Sequence, residues 1–142
     1  MTVPVEGRPR PDRDPVSQEF WTGAARGELR YQECPACGHR QFYPRAICTA
    51  CAAEPEWRTA SGRGTVHTFT VIRQNLAPPF RELQPYVVAM VDLEEGPRMM
   101  TNLTDCDPDA VEIGMAVTAY AVPFDEDNAD GAGGLWFWRP AG

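Results

Sequence analysis

Four cysteines arranged as two Cys-x-x-Cys pairs are the residues of this chain best suited to a specific chemistry. The pairs are Cys34 with Cys37 and Cys48 with Cys51, and ten residues separate them. Two such pairs at this distance can place four thiolates around one tetrahedral ion, which is the ligand set of a structural zinc ribbon. The spacing therefore predicts one Zn²⁺ bound by Cys34, Cys37, Cys48 and Cys51.

This metal site is expected to be structural. Four thiolates fill the tetrahedron and leave no open position for water or substrate. A single Cys-x-x-Cys pair would also suit a redox protein, but two pairs in tandem favour a metal. Iron with four thiolates is the remaining alternative. His39 follows the first pair and is expected to be an exposed neighbour of the site.

The residues after each pair suggest a difference between the two metal-binding turns. Gly38 follows Cys37, and glycine readily takes the left-handed conformation that turns backbone N–H groups toward thiolate sulfur. Ala52 stands at the equivalent place after Cys51. For a residue with a Cβ atom, the left-handed conformation costs about 1 kcal/mol of free energy. The second turn is therefore expected to be looser than the first, or shaped differently.

Residues for catalysis are harder to find in the sequence. Cys106 and His67 are the best candidates for a nucleophile and a base, yet Cys106 falls in a polar turn and His67 on an alternating strand. The sequence also lacks the Gly-x-Ser-x-Gly motif that positions a nucleophilic serine. The sequence therefore predicts no catalytic residue. Acids are plentiful but fall in predicted turns, where they are usually solvated: Glu94, Glu95, Asp125, Glu126, Asp127 and Asp130.

Composition excludes several classes of function. All thirteen basic residues are arginine, so the chain cannot form a Schiff base through a lysine. Residues 59–142 hold five arginines against twelve acids, and the net charge is −7. Such a half would repel phosphates, which argues against nucleic-acid binding. The start of the chain lacks an apolar stretch for a signal peptide or a membrane span, so a cytoplasmic protein is expected.

Patterns along the 142 residues predict a mainly β protein with four parts. Residues 1–15 are rich in proline and are expected to form an extended arm, disordered unless a partner holds it. Residues 16–30 predict a helix, with Ser17 as its N-cap and Gly27 at its end. Residues 31–58 form the predicted rubredoxin-like zinc ribbon, and residues 59–142 the last domain.

The last domain is predicted to be a five-stranded barrel of the OB type. Its strand segments are short, rich in β-branched or apolar residues, and separated by turns. One short helical turn is expected at Asp107 and Pro108. The predicted strands are Gly64–Ile72, Tyr86–Leu93, Arg98–Leu103, Gly114–Val122 and Leu135–Trp138.

Aromatic residues suggest a binding surface. Trp136 and Trp138 are expected on one face of the last strand and Phe137 on the other, because successive strand residues face opposite sides. Aromatic surface is then exposed unless the N-terminal helix or a partner covers it. Three further aromatic residues lie outside the predicted strands and are the predicted contacts to a partner: Phe20, Trp21 and Phe80.

The order of these parts resembles the acyl-CoA-associated OB-fold family with an N-terminal rubredoxin-like zinc ribbon. The resemblance covers residues 16–140, although the proline that usually follows the first cysteine of the second pair is missing here. The motifs that carry it, besides the four cysteines, are Phe20-Trp21, Gly27-Glu-Leu-Arg30, Pro44-Arg45, Pro85-Tyr-Val-Val-Ala89, Glu95-Gly-Pro-Arg98 and Ile113-Gly-Met-Ala-Val117.

The resemblance implies an accessory subunit that is not an enzyme on its own. Members of the family look like partners of thiolase-fold enzymes, including lipid-transfer-protein-like enzymes that cleave acyl-CoA side chains by retro-aldol chemistry in steroid breakdown, and of MaoC-like hydratases. It implies a structural Zn²⁺ and a heterotetramer with two copies of each chain. The alternatives are a free-standing acyl-CoA or nucleotide-binding OB module and, third, a single-stranded nucleic-acid binder.

Overall fold

A computed structural model describes residues 8, 9, 11, 12, 14–124 and 133–142 of the chain. It confirms the predicted fold class: an N-terminal helix, a small cysteine-bearing sheet and a closed five-stranded barrel. In chain order the elements are α1 (Gln18–Arg26), β1 (Arg30–Glu33), β2 (Arg40–Gln41), β3 (Glu56–Thr59), β4 (Arg63–Ile72), α2 (Phe80–Leu83), β5 (Tyr86–Leu93), β6 (Arg98–Leu103), a 3-10 turn (Pro108–Ala110), β7 (Ala116–Pro123) and β8 (Gly134–Pro140).

Helix α1 begins where expected but is not capped by the side chain of Ser17. Instead, Oδ1 of Asp14 accepts hydrogen bonds from the backbone N–H of Ser17 at 2.7 Å and from its hydroxyl at 3.0 Å. This occupies the hydroxyl that was predicted to cap the helix. The helix ends at Gly27, whose φ of 77° gives the left-handed C-terminal turn.

The helix lies against strands β1, β7 and β8. Close approach is possible because Gly133 precedes β8: a Cβ atom there would lie 2.6 Å from the carbonyl oxygen of Trp21. Gly133 also has a φ of 106°, which L-residues rarely adopt. This glycine therefore lets the start of β8 touch the backbone of α1.

The first sheet is antiparallel, with the order β2-β1-β3, and it carries the two cysteine turns. Strands β4 to β8 form a closed barrel with the order β4-β5-β6-β8-β7. Strands β5 and β6 begin and end at the predicted residues, and β5 alternates strictly between buried and partly exposed positions. Strand β4 contains a register shift between Val66 and Thr68, so His67 lies at an irregularity of the strand.

One continuous core joins the sheet to the barrel. Phe20, Leu29, Tyr31 and Phe42 belong to the same buried cluster as the interior residues of the barrel. Hydrogen bonds also cross this junction, including one from the guanidinium of Arg40 to the carbonyl oxygen of Glu95 (2.7 Å). The cysteine-bearing sheet is therefore held firmly against the barrel.

In strand β8, Trp138 and Phe137 lie on opposite faces of the strand, as predicted. Trp138 is fully buried in the barrel core, where its indole N–H donates to the sulfur of Met99 at 3.3 Å. Phe137 faces away from that core and packs against the ring of Tyr120, with the centroids 5.8 Å apart. It is nevertheless only 2 % exposed. Trp136 is half-buried.

Two predicted features fall partly or wholly outside the described residues. The acidic residues Asp125, Glu126, Asp127 and Asp130 are outside them, as are residues 1–7, 10 and 13 of the predicted arm. In the part of the chain that the structure describes, no helix is both long and apolar enough to cross a membrane.

Candidate metal centre

The four predicted cysteines come together at one place. Their Sγ atoms all lie within 4.8 Å of one another. Cys34 Sγ lies 3.5 Å from Cys51 Sγ, and Cys37 Sγ lies 3.7 Å from Cys48 Sγ. A tetrahedral ion with Zn–S bonds of about 2.3 Å separates its sulfur ligands by about 3.8 Å. The thiols are free and their spacing fits one metal ion.

The two cysteine turns have the same backbone shape. The N–H of Gly38 donates to the carbonyl oxygen of Cys34 at 2.8 Å, and the N–H of Ala52 donates to that of Cys48 at 2.9 Å. The φ angles are 79° at Gly38 and 67° at Ala52. The expectation of a looser or different second turn is therefore wrong, because the hydrogen bond and the metal-site geometry hold Ala52 in the left-handed region despite its Cβ atom.

This strain gives a testable prediction. Ala52→Gly should raise the free energy of unfolding by about 0.5–1 kcal/mol, because removing a left-handed L-residue relieves about 1–2 kcal/mol and added freedom of the unfolded chain returns part of it. Gly38→Ala should lower it by about 1 kcal/mol. Urea unfolding at a fixed free-zinc concentration measures both. Equal stability of Ala52→Gly and wild type would show that the turn is unstrained.

Backbone N–H groups point at the sulfur atoms. The N–H of Cys37 lowers the pKa of the Cys34 thiol below its ordinary value. The N–H of Ala50 donates to Cys48 Sγ at 3.4 Å. Such bonds favour the thiolate, which is the form that binds metals. With four sulfur ligands, the centre can hold an ion and cross-link the turns, and it leaves no position for a reacting water.

His39 lies beside the centre without joining the cysteine cluster. Its Nε2 atom is 3.0 Å from the hydroxyl of Thr49, and the residue is exposed. Among the described residues, the group of side chains that can hold a metal ion consists of the four cysteines. His39 is thus placed as the sequence predicts.

Two buried glutamines, which the sequence analysis missed, fix the loop between the cysteine turns. Gln32 accepts from the N–H of Arg45 and donates to its carbonyl oxygen, both at 3.0 Å. Gln41 donates to Gln32 at 2.8 Å and accepts from the N–H of Thr49 at 3.0 Å. Buried amides that use their groups on backbone partners hold a loop in one conformation. The one feature of the sequence that could indicate this role is that both glutamines lie within short strands.

The loop held in this way presents apolar side chains to solvent. Tyr43 is 48 % exposed and Ile47 is 53 % exposed. The hydroxyl of Tyr43 accepts from the backbone N–H of Met100, whose side chain is 60 % exposed. This surface connects the cysteine-bearing sheet with barrel strand β6, and no sequence motif marks it.

The three aromatic residues predicted to contact a partner have different environments. Phe20 is buried and makes edge-to-face contacts with Trp21 and Phe42, so its ring is used inside the chain. Trp21 and Phe80 are half-buried. Of the three, only Trp21 and Phe80 keep side-chain surface that a partner can reach without movement of α1.

The candidate nucleophile and base do not form a pair among the described contacts. Cys106 packs against the barrel core, and burial, followed by the charges of Asp105 and Asp107, raises the pKa of its thiol. A protonated thiol is a poor nucleophile. His67 is 3.6 Å from the carboxylate of Asp92, which also accepts from Arg98 at 2.6 Å.

A four-cysteine metal ribbon followed by an OB-type barrel defines the class of this protein. A family model described as ChsH2, rubredoxin-like zinc ribbon domain, matches residues 21–57, and one described as ChsH2, C-terminal OB-fold domain, matches residues 57–122. The chain therefore belongs to the ChsH2 family, also called DUF35 in the names of similar proteins.

Similar proteins are named as scaffolds or as subunits of acyl-CoA enzymes. A DUF35 domain-containing scaffold protein of Methanothermobacter thermautotrophicus is 37 % identical over 108 residues, which are 75 % of this chain and 80 % of that protein. A 3-oxo-4,17-pregnadiene-20-carboxyl-CoA hydratase alpha subunit of Mycobacterium tuberculosis is 34 % identical over 133 residues. The match covers 94 % of this chain but only 40 % of that subunit.

A solved structure titled "Ltp2-ChsH2(DUF35) aldolase" contains a similar chain. Its TM-score to this protein is 0.81 at 32 % sequence identity. The match covers 94 % of this chain and the whole of that chain. The likeness therefore extends over both the ribbon and the barrel.

Proposed function

We propose that this protein is a non-catalytic accessory subunit that binds and completes or stabilises an acyl-CoA enzyme of the thiolase fold. The enzyme class that fits best is a lipid-transfer-protein-like retro-aldolase acting on the side chains of steroid acyl-CoA. The proposed assembly contains two copies of each chain. Its Zn²⁺ is held by Cys34, Cys37, Cys48 and Cys51 and has a structural role.

One observation carries this proposal. The likeness to the chain of the aldolase structure covers 94 % of this chain and the whole of that chain, so both the ribbon and the barrel have counterparts there. The hydratase subunit is different, because this chain spans only two fifths of its length. The likeness over both domains to a chain of a structure titled as an aldolase supports a role inside an aldolase assembly.

The chemistry of the described residues supports an accessory role. Burial raises the pKa of the Cys106 thiol, which disfavours the reactive thiolate, and the imidazole of His67 lies 3.6 Å from the carboxylate of Asp92. Acyl-CoA cleavage needs a nucleophile or base oriented toward the substrate. In the proposed complex the partner supplies these groups.

The proposed contact surface combines half-buried and exposed residues. Trp21 and Phe80 remain the predicted aromatic contacts, and the loop fixed by Gln32 and Gln41 adds Tyr43 and Ile47. Rigid aromatic and aliphatic side chains lose little entropy on binding, so they suit the centre of an interface.

Co-expression tests the proposal. The chain is produced with a lipid-transfer-protein-like thiolase-fold enzyme from the same organism, and the mass of the purified complex is measured by light scattering. A heterotetramer with retro-aldol activity that neither chain shows alone is the expected result. An enzyme that is fully active alone and never co-elutes with this chain would refute it. Coenzyme A binding to the chain alone would instead favour the free-standing OB module.

In the reconstituted complex, Cys106→Ala and His67→Ala should keep activity within about tenfold of wild type. The reason is that neither side chain is oriented as a nucleophile or base, and a lost general acid or base typically costs about 100-fold or more. Steady-state turnover measures this, with gel filtration as the control for assembly. A loss of that size in an intact complex would identify a catalytic residue in this chain.

A further inference from the structure

The outer surface of the barrel carries an aromatic groove that is separate from the metal centre. Strands β5, β6 and β8 form its floor, and α2 forms one wall. We name it the outer groove. Its lining includes Phe80 on α2, Asn102 on β6 and Phe137 on β8, together with Arg8 from the N-terminal segment.

Arg8 is seated between two aromatic rings of this groove. Its guanidinium carbon lies 5.1 Å from the centroid of Phe80 and 5.2 Å from that of Phe137. Both distances are within the range of cation–π attraction, about 6 Å. The Nη1 atom also donates to Oδ1 of Asn102 at 3.1 Å. The sequence distance between Arg8 and Asn102 is 94 residues, so this contact joins Arg8 to a distant strand of the barrel.

Asn102 is oriented to receive the guanidinium. Its Nδ2 atom donates to the carbonyl oxygen of Val87 at 3.1 Å, which leaves Oδ1 for Arg8. An amide with its nitrogen committed to the backbone cannot turn over without losing a hydrogen bond. The acceptor is therefore held in place by the barrel.

Burial gives a second indication that this is a specific site. Phe137 faces away from the barrel core, yet it is only 2 % exposed, and both Tyr120 and Arg8 lie against its ring. The guanidinium of Arg8 is partly buried, and this burial lowers its pKa below the ordinary value. A cation leaves water only where other groups replace it, and here two ring faces and an amide oxygen do so.

We propose that the outer groove is a recognition site for an arginine side chain, and that Arg8 of the same chain occupies it. Arg8 is then the anchor of the N-terminal segment, which was expected to be disordered unless a partner held it. Withdrawal of the segment uncovers the two rings and Asn102, so the groove can accept a guanidinium from another molecule. The inference does not depend on the proposed function.

The side-chain amide of Asn102 is a direct reporter of this site. In NMR spectra of the full chain, Arg8→Ala should shift the Asn102 amide signals, and Arg8→Lys should shift them by an intermediate amount. Arg81→Ala is the matched control, since Arg81 is an exposed arginine next to Phe80. Unchanged Asn102 signals in Arg8→Ala would overturn the proposal.

A peptide experiment tests recognition itself. A peptide with the sequence of residues 4–12 is titrated into the full-length Arg8→Ala variant. It should return the Asn102 signals toward their wild-type positions in a saturable way. The same peptide carrying alanine in place of Arg8 should be at least tenfold weaker. Equal effects of the two peptides would mean that the groove does not recognise arginine.

Proteolysis measures how firmly the segment is anchored. The chain has no lysine, and prolines follow Arg8 and Arg10, so the first bond open to trypsin is the one after Arg13. Cleavage there should be at least tenfold faster in Arg8→Ala, faster in Phe80→Leu, and unchanged in Arg81→Ala. Thermal unfolding checks that each variant is folded. Equal cleavage rates in wild type and a folded Arg8→Ala would exclude Arg8 as the anchor.

Discussion

Cys37→Ser should lose the bound metal and unfold the cysteine-bearing sheet. The four Sγ atoms lie within 4.8 Å of one another, so each thiolate is one quarter of a closed ligand set. Structural Zn²⁺ supplies about 10–16 kcal/mol of apparent binding free energy in small modules. The edge of the sheet with the two-residue β2 and the cysteine turns depends on the metal, although the inner face of the sheet shares a core with the barrel.

Metal analysis and hydrogen exchange measure this result. Wild type is expected to hold one zinc per chain and to protect the amides of β1 and β2 from exchange. Cys37→Ser should hold less than a tenth of a zinc and lose that protection. Cys106→Ser is the matched control, because Cys106 lies outside the cluster and should leave both readings unchanged. A fully folded metal-free protein, disulfides within the cluster, or iron in place of zinc would contradict the prediction.

The loss should extend to the partner surface. Gln32 and Gln41 hold the loop that carries Tyr43 and Ile47, and that loop leads directly into the second cysteine turn. Without the metal, the backbone partners of the two glutamines are free to move. The proposed role of the metal in the function is therefore to hold this loop in a shape that a partner can bind.

The fold could be predicted from the sequence because its signals are local. The spacing of the cysteines specifies the ribbon, and the alternation in β5 specifies a strand with one buried face. The faces of Phe137 and Trp138 followed from the two-residue period of a strand alone. Each of these signals is contained within a few neighbouring residues.

The contacts that could not be predicted join residues far apart in the chain. Arg8 reaches Asn102, and the identity of its partner depends on how the barrel closes. Phe20 is predicted as a partner contact because it lies outside the strands, and the structure adds that the helix turns its ring toward Phe42. The shape of the second cysteine turn could not be predicted from Ala52 for another reason. A backbone hydrogen bond in the turn outweighs the preference of alanine for other conformations.

Trp138→Ala should cause the largest loss of stability of any substitution in the barrel. Trp138 is fully buried, and it lies where β8 pairs with both β6 and β7 to close the barrel. Removing a buried tryptophan side chain costs about 3–5 kcal/mol, because the transfer free energy is lost and a cavity remains. That is a large fraction of the roughly 5–15 kcal/mol that stabilises a typical domain.

The same substitution separates packing in the barrel from metal binding. Because the cysteine cluster draws no residue from β8, Trp138→Ala should retain its zinc in native buffer while its barrel melts at a lower temperature. Met100→Ala is the control on the opposite side of the barrel wall: the residue is 60 % exposed, and surface changes usually stay within about 0.5 kcal/mol.

Urea unfolding followed by fluorescence gives the free energies of unfolding of the two variants, and the zinc content is measured on the same samples. If Trp138→Ala cost no more than Met100→Ala, Trp138 would not be the residue that fills the barrel. If zinc were lost together with the barrel signal, the ribbon and the barrel would unfold as one cooperative unit through their shared core.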